Sequence, residues 1–154
     1  LGWNGYHRSG SELVLDWPGF ASCAPGAPPL PVDVSTHWVP GKGERPGLVV
    51  KAHRQDRELG VCVCTSLGEV SDAPEAQDWV YTRWLGIAED LQGRGLGRYL
   101  LRRALFELHG VGYRHATICN FGDNYRAFLL YSNLGYQVVD WTYAFAREAE
   151  PEPK

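Results

Sequence analysis

A glycine-rich turn between a strand-like stretch and a helix constrains this chain more than any other part of its sequence. The strand-like stretch ends in Leu85, Gly86 and Ile87, and the turn consists of Gln92, Gly93, Arg94, Gly95, Leu96 and Gly97. Glycines let the main chain turn tightly and approach a ligand closely. The helix that follows starts with unpaired N–H groups and a partial positive charge, which suit a pyrophosphate. The turn therefore predicts an anion site at the start of this helix.

The charges around the turn also favour an anionic ligand. Residues 91–103 contain four arginines and no acid, although the formal charge of the whole chain is -3. Arg94 and Arg98 lie at the helix start, where cations are disfavoured by the helix dipole, and a bound polyphosphate would remove that conflict. A solvated basic helix face is an equally good interpretation of the four arginines alone.

Two common phosphate-binding loops do not fit the turn. A dinucleotide fingerprint needs a third glycine three residues after the second, and Arg98 stands three residues after Gly95 and Leu100 three residues after Gly97. A Walker loop needs Gly, Lys and then Ser or Thr, whereas Gly97 is followed by Arg98 and Tyr99. Both classes of nucleotide-binding protein are excluded.

Two motifs in sequence order remain, and together they are far more specific than a lone glycine loop. The first is Gln-x-x-Gly-x-Gly at Gln92, Gly95 and Gly97. The second is Asn-x-x-Ala-x-x-x-Tyr followed by Leu-Gly-Tyr, formed by Asn124, Ala127, Tyr131, Leu134, Gly135 and Tyr136. This pair resembles the signature of the GNAT superfamily of N-acetyltransferases, and the match covers residues 48–147.

The resemblance implies a fold and a reaction. The expected fold is α/β (α+β), with a mixed, mostly antiparallel central sheet, flanking helices and a splayed strand pair that holds acyl-CoA. The expected reaction moves an acetyl group from acetyl-CoA to an amine by direct attack on the thioester. The acceptor, a small-molecule or peptide amine, is not determined by the family.

The resemblance also implies the site residues. Main-chain groups of Leu85 and Ile87 would pair with the pantetheine of acetyl-CoA, and an N–H near Ile87 would hold the oxyanion. The pyrophosphate would lie on the turn, and Asn124 would contact the cofactor or cap its own helix. The predicted cofactor-binding residues are Leu85, Ile87, Gln92, Gly93, Arg94, Gly95, Gly97, Arg98 and Asn124, without a metal.

Tyr131 is the predicted catalytic residue, as general acid for the departing thiolate. A phenol of pKa about 10 can donate a proton to a thiolate whose conjugate acid has a pKa near 8.5. The alternative is a packed aromatic side chain at a helix end. The general base is open, because Tyr81, Thr82 and Arg83 stand where many relatives carry a strand carboxylate. Asp78, Glu89, His115 or a chain of water molecules are the candidates.

The sequence predicts the elements in the order β-β-β-α-β-α-β. The predicted strands are 48–53, 59–66, 79–87, 113–119 and 136–147, and the predicted helices are 96–109 and 124–133. The strand 79–87 is hydrophobic enough on both faces to be central. In the first helix, an apolar stripe is expected on one face and an Arg103–Glu107 pair outside it; the stripe consists of Leu96, Leu100, Ala104 and Leu108. Seven of the ten prolines lie before Gly47, so residues 17–46 are expected to be loop-dominated. Trp38, Trp79, Tyr81 and Trp141 could line an acceptor cleft, and core positions are the preferred interpretation.

The chain is expected to divide at its two ends. Residues 1–46 form a proline-rich N-terminal segment, residues 47–147 the acetyl-CoA-binding domain, and residues 148–154 a frayed acidic tail. The chain has no Met, and Leu1-Gly2-Trp3 with the strand-like residues 12–17 resembles Leu134-Gly135-Tyr136 with its strand. One hypothesis is that the opening residues are the tail of a preceding GNAT-like copy, and chance similarity is the alternative.

Composition excludes several other classes. With 154 residues and 44% hydrophobic content, the chain can bury one sizeable core, and no apolar run approaches the ~20 residues of a membrane span. We therefore expect a cytoplasmic protein without a membrane partner. A pI of 5.9 argues against nucleic acid. Cys62 and Cys64 are expected to be small buried hydrophobes.

Three functional classes remain after the sequence is considered. They are an acetyltransferase, a non-catalytic acyl-CoA-binding domain with a regulatory or structural role, and a generic α/β interaction domain. A homodimer, or packing against a second GNAT-like copy, is left open.

Overall fold

The structure is a computed structural model that describes residues 4–147. Leu1, Gly2 and Trp3, on which the hypothesis of a preceding copy depends, and the predicted frayed tail at 148–154 lie outside the described residues. The described chain divides into two compact units, residues 16–118 and residues 4–15 with 119–147. The elements in chain order are β1 (Tyr6–Trp17), β2 (Asp33–Val39), β3 (Gly47–Arg54), β4 (Arg57–Ser66), β5 (Trp79–Ile87), α1 (Leu96–Gly110), β6 (His115–Phe121), α2 (Tyr125–Ser132) and β7 (Gln137–Arg147).

In the unit of residues 16–118, the strands follow the order β2-β3-β4-β5-β6. Neighbouring strands are antiparallel except β5 and β6, which run parallel from Trp79 opposite His115 to Thr82 opposite Ile118. The expected central place of β5 is confirmed, because strands lie on both of its sides. The mixed α/β fold with a mostly antiparallel sheet is also confirmed.

The core of this unit lies between α1 and one face of β3, β4 and β5. The predicted apolar stripe of Leu96, Leu100, Ala104 and Leu108 is buried, together with Leu101 and Leu105. It packs against a sheet face whose buried residues are Leu48, Val50, Ala52, Cys62, Cys64 and Val80. These alternate along their strands, as the period of two requires.

The second unit, as far as it is described, contains α2, β7 and most of β1. Helix α2 begins after Asn124, whose side chain accepts a hydrogen bond from the N–H of Ala127 at 3.2 Å. Tyr131 is buried and its ring lies 6.0 Å from that of Tyr136. Strand β7 neighbours β1 and is exposed along almost its whole length.

The element predictions differ from the structure mainly before Gly47. Strand β1 starts at Tyr6, earlier than its strand-like residues 12–17 indicate, and the stretch expected to be loop-dominated contains the seven-residue strand β2. No helix in residues 4–147 is long and apolar enough to cross a membrane.

Candidate functional site

The glycine turn leads directly into the first turn of α1. Gly93 and Gly95 have φ values of 74° and 86°, in the left-handed region that favours glycine. Gly95 is the N-cap residue and provides no side-chain cap. The N–H of Tyr99 donates to the carbonyl of Gly95 at 3.0 Å, so the N–H groups of residues 96–98 precede the helical hydrogen-bond pattern. This end of the helix can accept an anionic group.

The turn has room for a ligand on the side of Gly93. A Cβ atom built on Gly93 would meet nothing within 4 Å, and one built on Gly95 would lie 3.6 Å from Cγ of Pro29. A Cβ atom would therefore fit at both positions, so crowding does not explain why they are glycines. Their positive φ values, and close approach of a ligand to the main chain, are the remaining physical reasons for glycine here.

Several hydrogen bonds fix the base of the turn. The side-chain amide of Gln92 donates to the carbonyl of Ile87 at 3.2 Å. Arg57 forms an ion pair with Asp90 at 2.7 Å, and the Arg57 guanidinium lowers the pKa of the Asp90 carboxyl. Gln92, which the sequence predicts to bind the cofactor, thus closes the connection between β5 and the turn.

Two residues of strand β5 have main-chain N–H and C=O groups that point away from β4. The N–H of Ala88 donates to the carbonyl of Leu59 at 3.0 Å, and the register continues with Gly60 opposite Ile87 and Cys62 opposite Leu85. Hydrogen-bonded and non-hydrogen-bonded pairs alternate in an antiparallel ladder. Leu85 and Ile87 fall in the non-hydrogen-bonded pairs, so their N–H and C=O groups point away from β4.

The four arginines of residues 91–103 divide into two pairs. Arg94 and Arg98 are exposed beside the turn. Arg102 donates to Sγ of Cys23 at 2.6 Å, and Arg103 forms the predicted ion pair with Glu107 at 2.7 Å. Only Arg94 and Arg98 are therefore placed to face an anion at the helix start.

A segment that sequence reasoning missed runs beside α1. We call residues 18–32 the proline-rich strap. Phe20 is buried and lies edge-on to His109 with the ring centres 5.6 Å apart, Cys23 contacts Arg102, and Pro29 lies next to Gly95. Its prolines indicated a loop-dominated segment, but no local signal showed that it follows α1 as far as the glycine turn.

Trp84 is a second residue that sequence reasoning missed. Its indole is exposed although β5 has neighbours on both sides. A Cβ on Gly86 would lie 2.7 Å from Nε1 of Trp84, so the missing side chain at Gly86 lets the indole lie over the strand. Val63 pairs with Trp84 and Cys64 with Thr82, which makes Arg83 the extra residue of a β-bulge. The Trp-x-Gly spacing was the available signal.

Asn124 and Tyr131 belong to the unit that contains α2, and their predicted roles stay predictions. Asn124 caps α2, which is one of the two roles considered for it. Tyr131 is buried near the end of α2.

Two of the candidate general bases have structural partners. Asp78 forms an ion pair with Arg45 at 2.9 Å. His115 accepts a hydrogen bond from the N–H of Gly19 at 3.0 Å and stacks on Trp79 with the ring centres 4.8 Å apart. Glu89 is exposed in the short turn that follows β5.

The four aromatic residues expected in the core differ in their burial. Trp79 and Tyr81 are half-buried, whereas Trp38 and Trp141 are exposed, so the core interpretation of these last two is wrong. Both lie on strands at the ends of the strand order, β2 and β7, where one edge of the strand has no neighbouring strand in the described chain.

Cys62 and Cys64 are buried beneath α1, as expected. Their Sγ atoms lie 3.8 Å apart. The hydrogen bond with Cys64, together with burial, raises the pKa of the Cys62 thiol well above its ordinary value. Residues 4–147 form no cluster of three or more His, Cys, Asp or Glu side chains that could hold a metal ion.

Solved structures share the fold. A tandem GNAT protein from the clavulanic acid biosynthesis pathway has a TM-score of 0.71 at 14% identity, with 94% of this chain and 55% of that chain covered. GCN5-related N-acetyltransferases from Sphaerobacter thermophilus and Kribbella flavida have TM-scores of 0.64 and 0.60 at 15% and 16% identity. They cover 94% and 97% of this chain, which spans 53% and 62% of theirs.

At such low sequence identities, these structures show only that the fold is shared. The family is shown by a match to a protein-family model. No curated protein matches the chain. The model described as an acetyltransferase (GNAT) domain matches residues 45–138, more than half of the chain, and includes both motifs up to Tyr136. The chain belongs to the GNAT acetyltransferase family.

Proposed function

We propose that this chain transfers an acetyl group from acetyl-CoA to a small-molecule or peptide amine. The observation that carries the proposal is the turn at Gly93 and Gly95, whose left-handed main chain leads into N–H groups at the start of α1. A diphosphate fits this arrangement, because backbone donors, the helix dipole and the exposed Arg94 and Arg98 all favour negative charge.

The main chain of β5 supports the same cosubstrate. The N–H and C=O groups of Leu85 and Ile87 point away from β4 and could pair with the amides of pantetheine, as an added strand would. The carbonyl of Ile87 already accepts a hydrogen bond from Gln92 but retains a second lone pair. The N–H of Ile87 is the proposed donor to the thioester oxygen.

The proposed reaction is a direct transfer. The nitrogen lone pair of the amine attacks the thioester carbonyl carbon, the C–N bond forms, and the C–S bond breaks as its electron pair leaves on sulfur. The amine loses one proton, and the thiolate takes up one proton, for which Tyr131 is the proposed donor. An alkylammonium of pKa about 10.4 must lose a proton before it can attack.

A second function is an acyl-CoA-binding domain without catalysis. It is favoured by the absence of a carboxylate at Tyr81, Thr82 and Arg83, and by the structural partners of Asp78 and His115. An acceptor with a lower pKa, or a base reached through water, would reconcile these observations with an enzyme. The two functions predict the same cosubstrate binding and differ only in turnover.

Two measurements test the proposal. Calorimetric titration with acetyl-CoA should show binding at one site, and titration with dephospho-acetyl-CoA should show whether the diphosphate suffices. Release of free thiol from acetyl-CoA should then rise with one of a panel of primary amines and peptides. Binding without thiol release for any amine would favour the non-catalytic domain, and failure to bind acetyl-CoA would refute both functions.

A further inference from the structure

Trp84 lies on the sheet face opposite α1. Cys62 and Cys64 of β4 face α1, so Val61 and Val63, which alternate with them, face the other way. Cross-strand partners share a face, and Trp84 pairs with Val63. The Trp84 side chain is 60% exposed, and the two valines are half-buried. These three side chains form an apolar surface on the face that we call the open face.

The indole of Trp84 extends along β5 toward the proposed acetyl site. Its Nε1 lies 2.7 Å from the position that a Cβ of Gly86 would occupy. The N–H of Ile87, the proposed donor to the thioester oxygen, belongs to the next peptide and lies within about 6 Å of that indole nitrogen. Because α1 packs on the other face of β5, an acceptor approaches the thioester from the face that carries the indole.

Strand β5 carries no side chain that could deprotonate an acceptor as a carboxylate or imidazole would. Its nine residues include no Asp, Glu or His. An alkylammonium of pKa about 10.4 must lose a proton before it attacks. In an aromatic amine the nitrogen lone pair is delocalised into the ring, so the conjugate acid is far stronger and the amine is already neutral at pH 7. Such an acceptor needs no base before its attack.

We propose that the acceptor is an aromatic amine whose ring stacks on the indole of Trp84 and whose amino group lies beside Ile87; this assignment rests on the proposed acetyl transfer. The neutral nitrogen attacks the thioester carbonyl carbon, the C–N bond forms, and the C–S bond breaks as its electron pair leaves on sulfur. The nitrogen loses one proton and the thiolate takes up one proton. The products are an N-aryl acetamide and free thiol.

An indole also attracts cations, but the surroundings of Trp84 favour a neutral acceptor. A cation–π contact would stabilise the protonated amine and so oppose the proton loss that attack requires. Arg83, which precedes Trp84, is exposed. Lys51 pairs with Val61 on the open face, and its ammonium already binds the carboxylate of Glu58 at 2.7 Å. A second ammonium would therefore meet cations here rather than an available carboxylate.

The first test compares three primary amines in the thiol-release assay with the full chain and acetyl-CoA. Aniline is aromatic and weakly basic, benzylamine is aromatic and strongly basic, and trifluoroethylamine is weakly basic without a ring. At pH 7, aniline should have the highest kcat/KM. The ratio of the benzylamine value to the aniline value should rise about tenfold per pH unit, as the neutral fraction of benzylamine does below its pKa. This ratio cancels any ionisation of the free enzyme.

The second test removes the indole. Trp84→Leu should raise the KM for aniline about 2- to 10-fold with little change in kcat, the range expected for the loss of one aromatic pair. It should leave the KM for trifluoroethylamine and the calorimetric Kd for acetyl-CoA unchanged, and Trp84→Phe should retain most of the affinity for aniline. The matched control is Trp38→Leu, which removes a 43% exposed tryptophan from the edge strand β2 and should change none of these constants.

The outcomes separate this assignment from the proposed function. If acetyl-CoA binds and benzylamine is acetylated while aniline is not, the acceptor class is wrong and the acetyl transfer stands. If folded Trp84→Leu keeps the wild-type KM for aniline, the stacking role is wrong. Binding of acetyl-CoA without acetylation of any amine would overturn the assignment and favour the non-catalytic domain. Failure to bind acetyl-CoA would refute the proposed function and the assignment together.

Discussion

Replacing Gly95 with alanine separates the conformational role of the glycine turn from its proposed binding role. The φ of Gly95 is 86°, and an L-residue in the left-handed region costs about 1–2 kcal/mol. No collision adds to this cost, because the nearest atom to the new Cβ would be Cγ of Pro29 at 3.6 Å, an ordinary contact. For a chain of this size we expect the melting temperature to fall by about 2–8 °C.

The effect on acetyl-CoA affinity should be larger than strain alone explains. Because alanine disfavours the φ of Gly95, the variant would displace the main chain that carries the N–H groups at the start of α1, to which the diphosphate is proposed to bind. Losing one hydrogen bond to a charged group costs about 1.5–3 kcal/mol, which corresponds to a roughly 10- to 100-fold weaker Kd. Calorimetric titration of the variant with acetyl-CoA measures this change directly.

Two other variants provide the controls. Gly19 has a φ of 60° with nothing within 4 Å of a built Cβ, so Gly19→Ala introduces similar strain in the proline-rich strap. It should lower the melting temperature similarly and leave the Kd unchanged. Asparagine tolerates the left-handed region, so Gly95→Asn should be more stable than Gly95→Ala while still binding acetyl-CoA more weakly than the wild type. If Gly95→Ala loses stability like Gly19→Ala but binds acetyl-CoA as tightly as the wild type, the turn does not hold the diphosphate.

Three further predictions concern single side chains or a pair. Tyr131→Phe should lower turnover while leaving acetyl-CoA affinity intact, because it removes only the proposed proton donor. Steady-state kinetics measures the turnover and calorimetric titration measures the affinity. Unaltered turnover would contradict the role of Tyr131 as general acid. Arg94→Gln combined with Arg98→Gln should weaken acetyl-CoA about tenfold and reduce the salt dependence of its Kd, which titrations at several ionic strengths measure. Burial raises the pKa of Tyr113 above its ordinary 10.0, so its contribution to stability is full below pH 10 and is lost as the pH rises further. Thermal unfolding should show this loss in the wild type, and Tyr113→Phe should diminish it.

Local signals predicted much of the unit that contains the glycine turn. Strand β5 was predicted with its observed bounds, and α1 with its buried stripe and its Arg103–Glu107 ion pair. In each case the signal is short-range: a strand of apolar residues, a helical period of leucines, or glycines at a helix start. Such patterns can be recognised in the sequence because the interacting residues lie only a few positions apart in the chain.

Long-range contacts explain what the sequence did not reveal. Strand β2 exists because Asp33 to Val39 pair with His53 to Gly47 of β3, and its flanking prolines hid it. The strap follows α1 through contacts as distant in sequence as Cys23 with Arg102. The exposure of Trp84 depends on a bulge at Arg83, which is a property of two strands together. None of these is encoded in a single window of residues.

The structure distinguishes the four arginines of residues 91–103, for which the sequence favoured an anion site and a solvated helix face equally. Arg102 and Arg103 lie beyond the first turn of α1 and have partners in Cys23 and Glu107, so they give no reason to expect an anion. Arg94 and Arg98 flank the helix start, where each cation is disfavoured by about 0.3–1 kcal/mol. The electrostatic conflict is thus confined to the two residues beside the left-handed glycines. A diphosphate on the turn would relieve it there, whereas a merely solvated helix face would distribute its cations without regard to the helix end.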